Sequence, residues 1–316
     1  MATGFTHDLR FLDHDTGAHH PERPARLSNT ISYLTDMTWF SDLVSVPAAE
    51  AAVEDVERIH PLSYVQRVRQ ACEDGAPFID TTDVTISRQS WDVALLAAGT
   101  PLTLAEQVVT GGISNGFALL RPPGHHAERE TAMGFCLFNN VAILARYLQV
   151  NHGLDKIAII DWDVHHGNGT QHAFEQDPSI LYVSLHQYPY YPGTGAASEN
   201  GIGRGVGATL NCPLPAGAGD REYESAFASR VLPKLAEFKP EFVIISAGFD
   251  AHLDDPLADM QLTTGFYRWM TEQLLAVAEQ HAGGRLISVL EGGYHLERLA
   301  ESVGVHLQAL AGVTTT

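Results

Sequence analysis

The chain has 316 residues, of which 45% are hydrophobic and 18% are charged, so we expect a folded protein with a large core. Nineteen Lys+Arg against 38 Asp+Glu give a formal net charge of -19. That charge would repel a phosphate backbone, so a direct nucleic-acid partner is not expected.

Cysteine and histidine usage points to a reducing compartment and to metal or proton chemistry. Cys72, Cys136 and Cys212 lie far apart, which argues against a disulfide framework and a thiolate zinc site. No apolar run approaches the ~18 residues that span a bilayer, and the N-terminus lacks a leader pattern. We therefore expect a cytoplasmic protein with no membrane partner. Sixteen histidines stand out because imidazole binds metals and transfers protons near neutral pH.

Short apolar runs alternate with amphipathic stretches along the chain. Such runs predict strands buried on both faces, and the amphipathic segments predict the crossover helices of a parallel sheet. The predicted strands are 116–121, 156–163, 180–186, 241–246 and 285–290, and the clearest helices are 222–238 and 265–281. The fold class expected is a three-layer α/β sandwich, with residues 1–316 forming a single domain.

Unusual motifs follow each predicted strand. In chain order they are PPGHH, VHHGNG, QYPYYPGTG, AGFDAH and EGGY. In an open parallel sheet, functional groups gather in the loops beyond the carboxyl ends of the strands. The sequence therefore predicts that five separate segments meet at one edge of the sheet.

The motif DWDVHHGNG carries the strongest chemical signal. Side chains alternate along a strand, so Asp161, Asp163 and His165 should share one face. An apolar sheet would hardly bury two carboxylates and an imidazole without a cation, which predicts a metal site. A satisfied polar network at the strand end is the alternative.

Asp250 follows another apolar strand and supplies a third hard ligand. Two carboxylates and one imidazole leave a tetrahedral site one ligand short, as a catalytic zinc requires. Fe²⁺ would also suit this donor set. The alternative role for Asp250 is a helix N-cap.

Two further motifs provide groups for acid–base and oxyanion chemistry. His125 and His126 are adjacent on a loop, which suggests a general base with an electrostatic partner, although surface histidines are the alternative. Gly292 and Gly293 permit close backbone approach, and Gly293 is a predicted substrate contact. The phenol of Tyr294 could donate a hydrogen bond to an oxyanion, unless it is a core tyrosine.

Taken together and in this order, the motifs resemble those of the zinc-dependent histone deacetylases and their bacterial histone-deacetylase-like amidohydrolase relatives. The resemblance covers roughly residues 19–310, and RPPGHHAE, MGFCLFNN and the Asn168 of HHGNG are similar to the class II branch. It implies an arginase/deacetylase fold with Asp163, His165 and Asp250 as zinc ligands. Tyr294 would polarise the acyl carbonyl.

The resemblance also implies roles for the histidine pair. His125 would be oriented by Asp161, and His126 would face Asn168. Class I members usually carry aspartate at the position of Asn168. Because an amide is a weaker anion mimic than a carboxylate, we expect His126 to be less basic than in class I and to act as the general base.

Substrate contacts follow from the same comparison. Phe135 and Tyr191 resemble the aromatic walls of an acyl-lysine tunnel, and the Gly134 carbonyl resembles the acceptor of the substrate N–H. Polyamine-selective relatives place a glutamate where this chain has Leu257. Arg26 resembles the arginine below the site in the acetate-exit cavity.

The family also binds potassium. One K⁺ is expected among Asp161, Ser184 and the main-chain oxygens of Asp163, His165 and Leu185, and a second could be lined by Phe174, Asp177 and Ile180.

Three hypotheses follow for function. The first is a zinc-dependent amidohydrolase that removes acetyl or short acyl groups from lysine side chains of peptides or proteins, or from small acylated amines. The second is an acetylpolyamine or secondary-metabolite amide deacetylase. The third is a non-catalytic acyl-lysine reader. No insertion of the type that drives dimers is evident at the N-terminus, which favours a monomer.

Overall fold

The computed structural model describes residues 2–313, so the outermost residues of the predicted 1–316 domain lie outside the described part. Eight parallel strands form one sheet in the order β2-β1-β5-β10-β9-β6-β7-β8, and β3 and β4 form a separate antiparallel hairpin. The strands are β1 (Thr3–Thr6), β2 (Val44–Ser45), β3 (Phe78–Ile79), β4 (Thr81–Thr85), β5 (Asn115–Ala118), β6 (Ile157–Asp161), β7 (Ile180–Gln187), β8 (Thr209–Leu214), β9 (Phe242–Ala247) and β10 (Leu286–Leu290).

Helices cover both faces of the sheet, which confirms the three-layer α/β sandwich. Helices α3, α4 and α5 lie on one face, and α1, α8, α9 and α10 pack together on the other. The helices are α1 (Ala25–Thr35), α2 (Val53–Val56), α3 (Leu62–Asp74), α4 (Ser90–Val109), α5 (Asn140–His152), α6 (Asn168–Phe174), α7 (Asp220–Ala226), α8 (Leu232–Phe238), α9 (Thr264–His281) and α10 (Leu296–Leu310).

The five predicted strands correspond to β5, β6, β7, β9 and β10, which are buried along their whole length. β1, β2 and β8 of this sheet, and the β3–β4 hairpin, have no counterpart among the predicted strands. The first two have four and two residues, which is too short for a clear pattern. β8 is an edge strand with partly exposed positions and a proline, Pro213, so it does not read as a continuous apolar run.

The predicted helix 222–238 is interrupted. α7 and α8 are joined by one π-helical turn, Phe227–Val231, in which the Leu232 N–H donates to the Phe227 carbonyl. Pro233 has no N–H, so it cannot continue the regular α-helical ladder at this point.

The central strands end level with one another at the carboxyl edge. Asp161, the last residue of β6, lies opposite Ser246 of β9, which in turn lies opposite Val289 of β10. The loops that carry the candidate site therefore leave the sheet side by side. This register is what allows ligands from distant parts of the sequence to meet.

Gly99 in α4 offers a test of the packing on one face. A Cβ at Gly99 would collide with the backbone of residues 49–51, whose Ala51 N–H donates to the Leu95 carbonyl at 2.9 Å. We expect Gly99→Ala to lower the free energy of unfolding by about 1–3 kcal/mol, measured by urea denaturation. Gly265→Ala in α9 is the control, since its Cβ meets nothing within 4 Å. It should be neutral or slightly stabilising, and equal stability of the two variants would contradict this view of the interface.

Candidate metal centre and active-site cavity

Asp163, His165 and Asp250 meet at the carboxyl edge of the sheet, as the sequence predicted. His165 Nδ1 lies 3.1 Å from Asp163 Oδ1 and 3.3 Å from Asp250 Oδ2. One ligand atom from each residue lies within 4.8 Å of the other two. The loops after β6 and β9 thus present two carboxylates and an imidazole to one point.

Backbone donors hold the carboxylates in place. Asp163 Oδ2 accepts the Gly292 N–H at 2.8 Å, and Asp250 Oδ1 accepts the Val164 N–H at 2.8 Å. Asp250 does not cap a helix. Its other oxygen, Oδ2, is buried and makes no hydrogen bond within residues 2–313, although it lies 3.3 Å from His165 Nδ1. A buried carboxylate oxygen without a donor is costly, so its orientation fits an inner-sphere cation ligand.

Two glycines let the backbone pass close to these ligands. A Cβ at Gly292 would collide with the carboxylates of Asp163 and Asp250, and a Cβ at Gly248 would collide with Asp163. Positions 248 and 292 therefore have no space for a side chain larger than that of glycine.

Electrostatics at this point favour a divalent cation. Burial and the neighbouring carboxylate of Asp163 raise the pKa of Asp250 to about 7. Burial opposes the charged form of His165, but Asp163 and Asp250 outweigh it and raise its pKa to about 9. A divalent ion would neutralise the two acids and take the imidazole lone pair. The donor set fits zinc, and it also fits Fe²⁺.

Asp161 does not join Asp163 and His165 in the candidate metal-binding group. The prediction from strand alternation, that all three side chains share one face, was therefore wrong. β6 ends at Asp161, so alternation no longer holds for residues 163 and 165. The Asp161 carboxylate instead lies 3.0 Å from His125 Nδ1 and accepts the Tyr182 hydroxyl at 3.1 Å. This is the orienting contact that the family resemblance implied.

The histidine pair lies beside the metal centre with unequal environments. Both rings are buried, their centroids 4.0 Å apart, and His126 Nδ1 lies 2.7 Å from Asn168 Oδ1. Burial lowers the pKa of both, but the carboxylates of Asp161 and Asp163 reverse the effect for His125 and raise its pKa well above 6.5. For His126, the positive charges of the neighbouring histidines add to burial, and its pKa falls well below 6.5.

Glu291 holds the loop that carries the histidine pair. Its Oε2 accepts the N–H groups of Gly124 and His125 at 2.7 and 3.2 Å, and Oε1 accepts the Ser246 hydroxyl at 2.9 Å. The EGGY motif predicted roles for its glycines and tyrosine but none for Glu291. The position of Glu291 directly after the buried apolar strand β10 could have indicated a functional carboxylate.

A cavity of about 440 Å³ leads to the metal centre. The Phe135 ring lies 5.9 Å from the Tyr294 ring, and the Tyr191 ring lies 5.1 Å from His126, so the predicted aromatic walls face this space. Tyr191 is 41% exposed at its mouth. The lining residues are Thr81, Asp83, His126, Met133, Gly134, Phe135, His165, Tyr190, Tyr191, Leu257 and Tyr294.

Asp255 links Tyr294 to the wall residue Leu257, and the sequence analysis missed it. Its carboxylate accepts the Tyr294 N–H at 2.7 Å through Oδ2 and the Leu257 N–H at 3.1 Å through Oδ1. The Tyr190 hydroxyl donates to the Leu257 carbonyl. Leu257 is therefore held through both of its backbone groups. The adjacent acids of LDDPL gave no sequence signal that could separate Asp255 from Asp254.

Gly134 lines the cavity and lies in a turn with an unusual backbone. Gly134 and Phe135 have positive φ values of 56° and 68°. The Gly134 N–H donates to Asp83 Oδ2 at 3.0 Å, and the Cys136 thiol donates to the Gly134 carbonyl at 3.2 Å. Asp83 is a second residue that sequence analysis missed.

Arg26 and Gly293 contact each other next to Tyr294. The buried Arg26 guanidinium donates to the Gly293 carbonyl at 2.7 Å and to Glu22 at 3.1 Å, and it lies 5.0 Å from the Tyr294 ring. Gly293 is not among the described residues that line the cavity. The Gly293 carbonyl thus contacts Arg26, and its predicted contact with substrate stays a prediction.

The residues of the first predicted potassium site are neighbours. Asp161 and Ser184 are register partners in β6 and β7, and Leu185 follows Ser184 in the strand. Asp163 and His165 lie in the loop after β6. The grouping agrees with the implied arrangement, and the ion stays a prediction.

At the second predicted potassium site a guanidinium is already present. The Arg146 Nη1 lies 2.6 Å from Asp177 Oδ2, and its Cζ lies 4.8 Å from the centre of the Phe174 ring. The Asp177 carboxylate is therefore paired. Only main-chain oxygens of Phe174, Asp177 and Ile180 would remain for an ion.

Comparison with known proteins agrees with the fold and the motifs. A family model described as "Histone deacetylase domain" matches residues 20–310. A "Probable deacetylase" of Archaeoglobus fulgidus is 42% identical over 299 residues, which cover 94% of this chain and 82% of that protein. The "Polyamine deacetylase HDAC10" of Homo sapiens is 42% identical over 302 residues, covering 92% of this chain and 44% of that protein.

A solved structure is equally similar. The crystal structure of the HDA15 HD domain superposes with a TM-score of 0.94 at 41% identity, covering 100% of this chain and 91% of that chain. The sheet and its loops thus define a hydrolase of the arginase/deacetylase type. The chain belongs to the histone deacetylase family. Within residues 2–313, no helix combines the length and apolarity of a membrane span.

Metal binding should depend on pH because the ligands must lose protons. His165, with a pKa near 9, and Asp250, with a pKa near 7, are protonated at low pH and free at high pH. We expect the apparent zinc affinity to rise about tenfold per unit between pH 7 and 9, and more steeply below pH 7. Competition with a chelating dye checks this. A flat profile would show that these side chains do not bind the ion.

Proposed function

We propose that this protein is a zinc-dependent amidohydrolase that removes acetyl or short acyl groups from lysine side chains or related acylated amines. One observation carries the proposal. An incomplete carboxylate–carboxylate–imidazole set opens on a cavity that is also lined by His126 and Tyr294. Family membership supports the same reaction class.

The histidine pair would divide the proton work. Zinc, held by Asp163, His165 and Asp250, would polarise the acyl carbonyl and acidify the attacking water. His126 stays neutral because its pKa lies well below 6.5, so it is suited to take a proton from the water. His125 stays protonated beside Asp161. When the C–N bond breaks, the leaving amine would take a proton from this pair.

Tyr294 would stabilise the oxyanion from the opposite side of the cavity. Burial and the nearby Asp250 carboxylate raise the pKa of its phenol well above 10. The hydroxyl therefore remains a hydrogen-bond donor at any working pH. Asp255 positions it by accepting the Tyr294 N–H.

The remaining assignments belong to the same proposal. Phe135 and Tyr191 would sandwich the acyl-lysine stem, with the Gly134 carbonyl accepting the substrate N–H and Leu257 closing the wall. Arg26 would attract the released carboxylate. We also propose a cytoplasmic, monomeric enzyme, one domain over residues 1–316, with structural K⁺ near Asp161 and Ser184.

Paired variants test the mechanism. Tyr294→Phe should keep zinc binding but lose about 10²–10³-fold in kcat, because one oxyanion donor is gone. Asp250→Ala should lose both zinc and turnover. Metal content by elemental analysis and kcat with an acetyl-lysine peptide distinguish the two. Full activity of metal-stripped protein would contradict the proposal.

An acetylpolyamine deacetylase is a second candidate, favoured by the similarity to the human protein named as a polyamine deacetylase. Leu257 argues against it, because an apolar wall offers no anchor for a second cationic nitrogen. Asp83 is the one carboxylate among the described residues of the cavity wall, and its Oδ2 already accepts the Gly134 N–H.

A panel of acylated amines decides between the candidates. We expect zinc-loaded protein to show a higher kcat/KM for acetyl-lysine peptides than for acetylputrescine and acetylspermidine. The polyamines carry a further cationic nitrogen that the apolar Leu257 cannot bind, whereas the peptides do not depend on a charged anchor there. Acetate release is the measurement. A strong polyamine preference would favour the second candidate, and peptide binding without acetate release would favour the reader.

A further inference from the structure

The Asn168 side chain contacts His126 with one end of its amide and the Glu128 carboxylate with the other. Its Nδ2 donates to Glu128 Oε1 at 2.5 Å, while its Oδ1 lies 2.7 Å from His126 Nδ1. Glu128 is 23% exposed, and the side chain of His172 lies 2.8 Å from the same Oε1 from the solvent side. Four side chains thus form a line from the surface to the candidate base.

The amide of Asn168 can face His126 in two ways with opposite consequences. With Oδ1 toward His126, Nδ1 must carry the proton, and Nε2 keeps its lone pair. With Nδ2 toward His126, Nδ1 must accept, and the proton moves to Nε2. Only the first arrangement leaves Nε2 able to act as a base.

We propose that Glu128 is a positioning residue that holds the Asn168 amide in the first arrangement and so keeps His126 in the Nδ1–H tautomer. An ionised carboxylate can only accept hydrogen bonds, so it draws the Nδ2 side of the amide toward itself. The weaker acceptors at Nδ2, the His126 carbonyl and Met133 Sδ, both lie at 3.3 Å. Of these three acceptors, Glu128 makes the shortest contact with Nδ2 and is the only one that carries a charge. The kinetic consequence rests on the proposed function, whereas the tautomer does not.

Glu128 also supplies the negative charge that Asn168 lacks. Charge-assisted hydrogen bonds are stronger than neutral ones, and outer partners of a catalytic group commonly change activity about 10–100-fold. The chain would therefore place one carboxylate behind each histidine. Asp161 contacts His125 directly, and Glu128 reaches His126 through the amide.

The activity test is a double-mutant cycle in zinc-loaded protein. Glu128→Ala should lower kcat/KM about 10–100-fold with KM little changed, because the base and not substrate binding is affected. Asn168→Asp removes the need for an orienting partner, since both carboxylate oxygens accept. The Glu128→Ala change should then cause no loss of kcat/KM in the Asn168→Asp background, where it only removes a like charge beside the new carboxylate.

Glu130→Ala is the matched control. Glu130 lies on the same loop, is 65% exposed and pairs with Arg129 at 3.8 Å, so its loss removes a like charge without touching Asn168. Wild-type kcat/KM in Glu128→Ala would overturn the proposal. An equal loss in the wild-type and the Asn168→Asp backgrounds would also overturn it, because that result indicates a general structural role.

A second measurement does not need turnover. Long-range ¹H–¹⁵N spectra of histidine-labelled, zinc-loaded protein report which nitrogen of His126 is protonated, with His126→Gln as the assignment control. We expect the Nδ1–H tautomer in the wild type and a shift toward Nε2–H in Glu128→Ala. An unchanged tautomer would overturn the proposal. Absence of amide turnover in wild-type protein would overturn only the proposed function.

Discussion

The mutual repulsion of two buried carboxylates is the constraint on which the rest of the site depends. Asp163 and Asp250 lie in loops that follow different strands, yet both approach Nδ1 of His165. Without a cation, two ionised acids are disfavoured at this point, and burial and the Asp163 carboxylate raise the pKa of Asp250 to about 7. The fold sustains this arrangement only because three central strands end level and bring fixed N–H donors to each carboxylate. Such a site is far better suited to bind a divalent ion than to contribute to stability by itself.

A second set of buried acids orients the groups around the ion. Asp161 contacts His125, Glu291 holds the loop before it, and Asp255 accepts backbone N–H groups at Tyr294 and Leu257. Each carboxylate connects a sheet edge or a loop to a neighbouring loop. Because ion–dipole contacts of this kind are directional, the candidate catalytic groups are fixed before substrate arrives. The excess of acidic residues is therefore partly a property of the active-site framework.

The sequence predicted the parts of the fold whose pattern is local. β6, β9 and β10 are continuous apolar runs, and the motifs after β6 and β9 predicted that Asp163, His165 and Asp250 would be neighbours, which the structure confirms. The sequence could not predict β1, β2 or β8, since short and edge strands acquire their identity from the strands beside them. It placed Asp161 on the ligand face because alternation was extended beyond the last strand residue. Asp255, Tyr190 and Glu128 were missed for a similar reason. Each has a contact that spans 39 or more residues, with Tyr294, Leu257 and Asn168 respectively, and only the fold brings these pairs together.

The two histidines show how one local sequence acquires two chemical roles. His125 and His126 are chemically identical neighbours, so nothing in the HH dipeptide distinguishes them. The fold turns one toward Asp161 and the other toward Asn168, and the pKa values move in opposite directions as a result. The two rings also increase this difference in pKa, since their centres lie only 4.0 Å apart. The positive charge on His125 opposes protonation of His126. Carboxylates close to only one member of the pair are therefore enough to separate an acid from a base. The Asn168 amide preserves that difference, because it keeps the Glu128 carboxylate out of direct contact with His126.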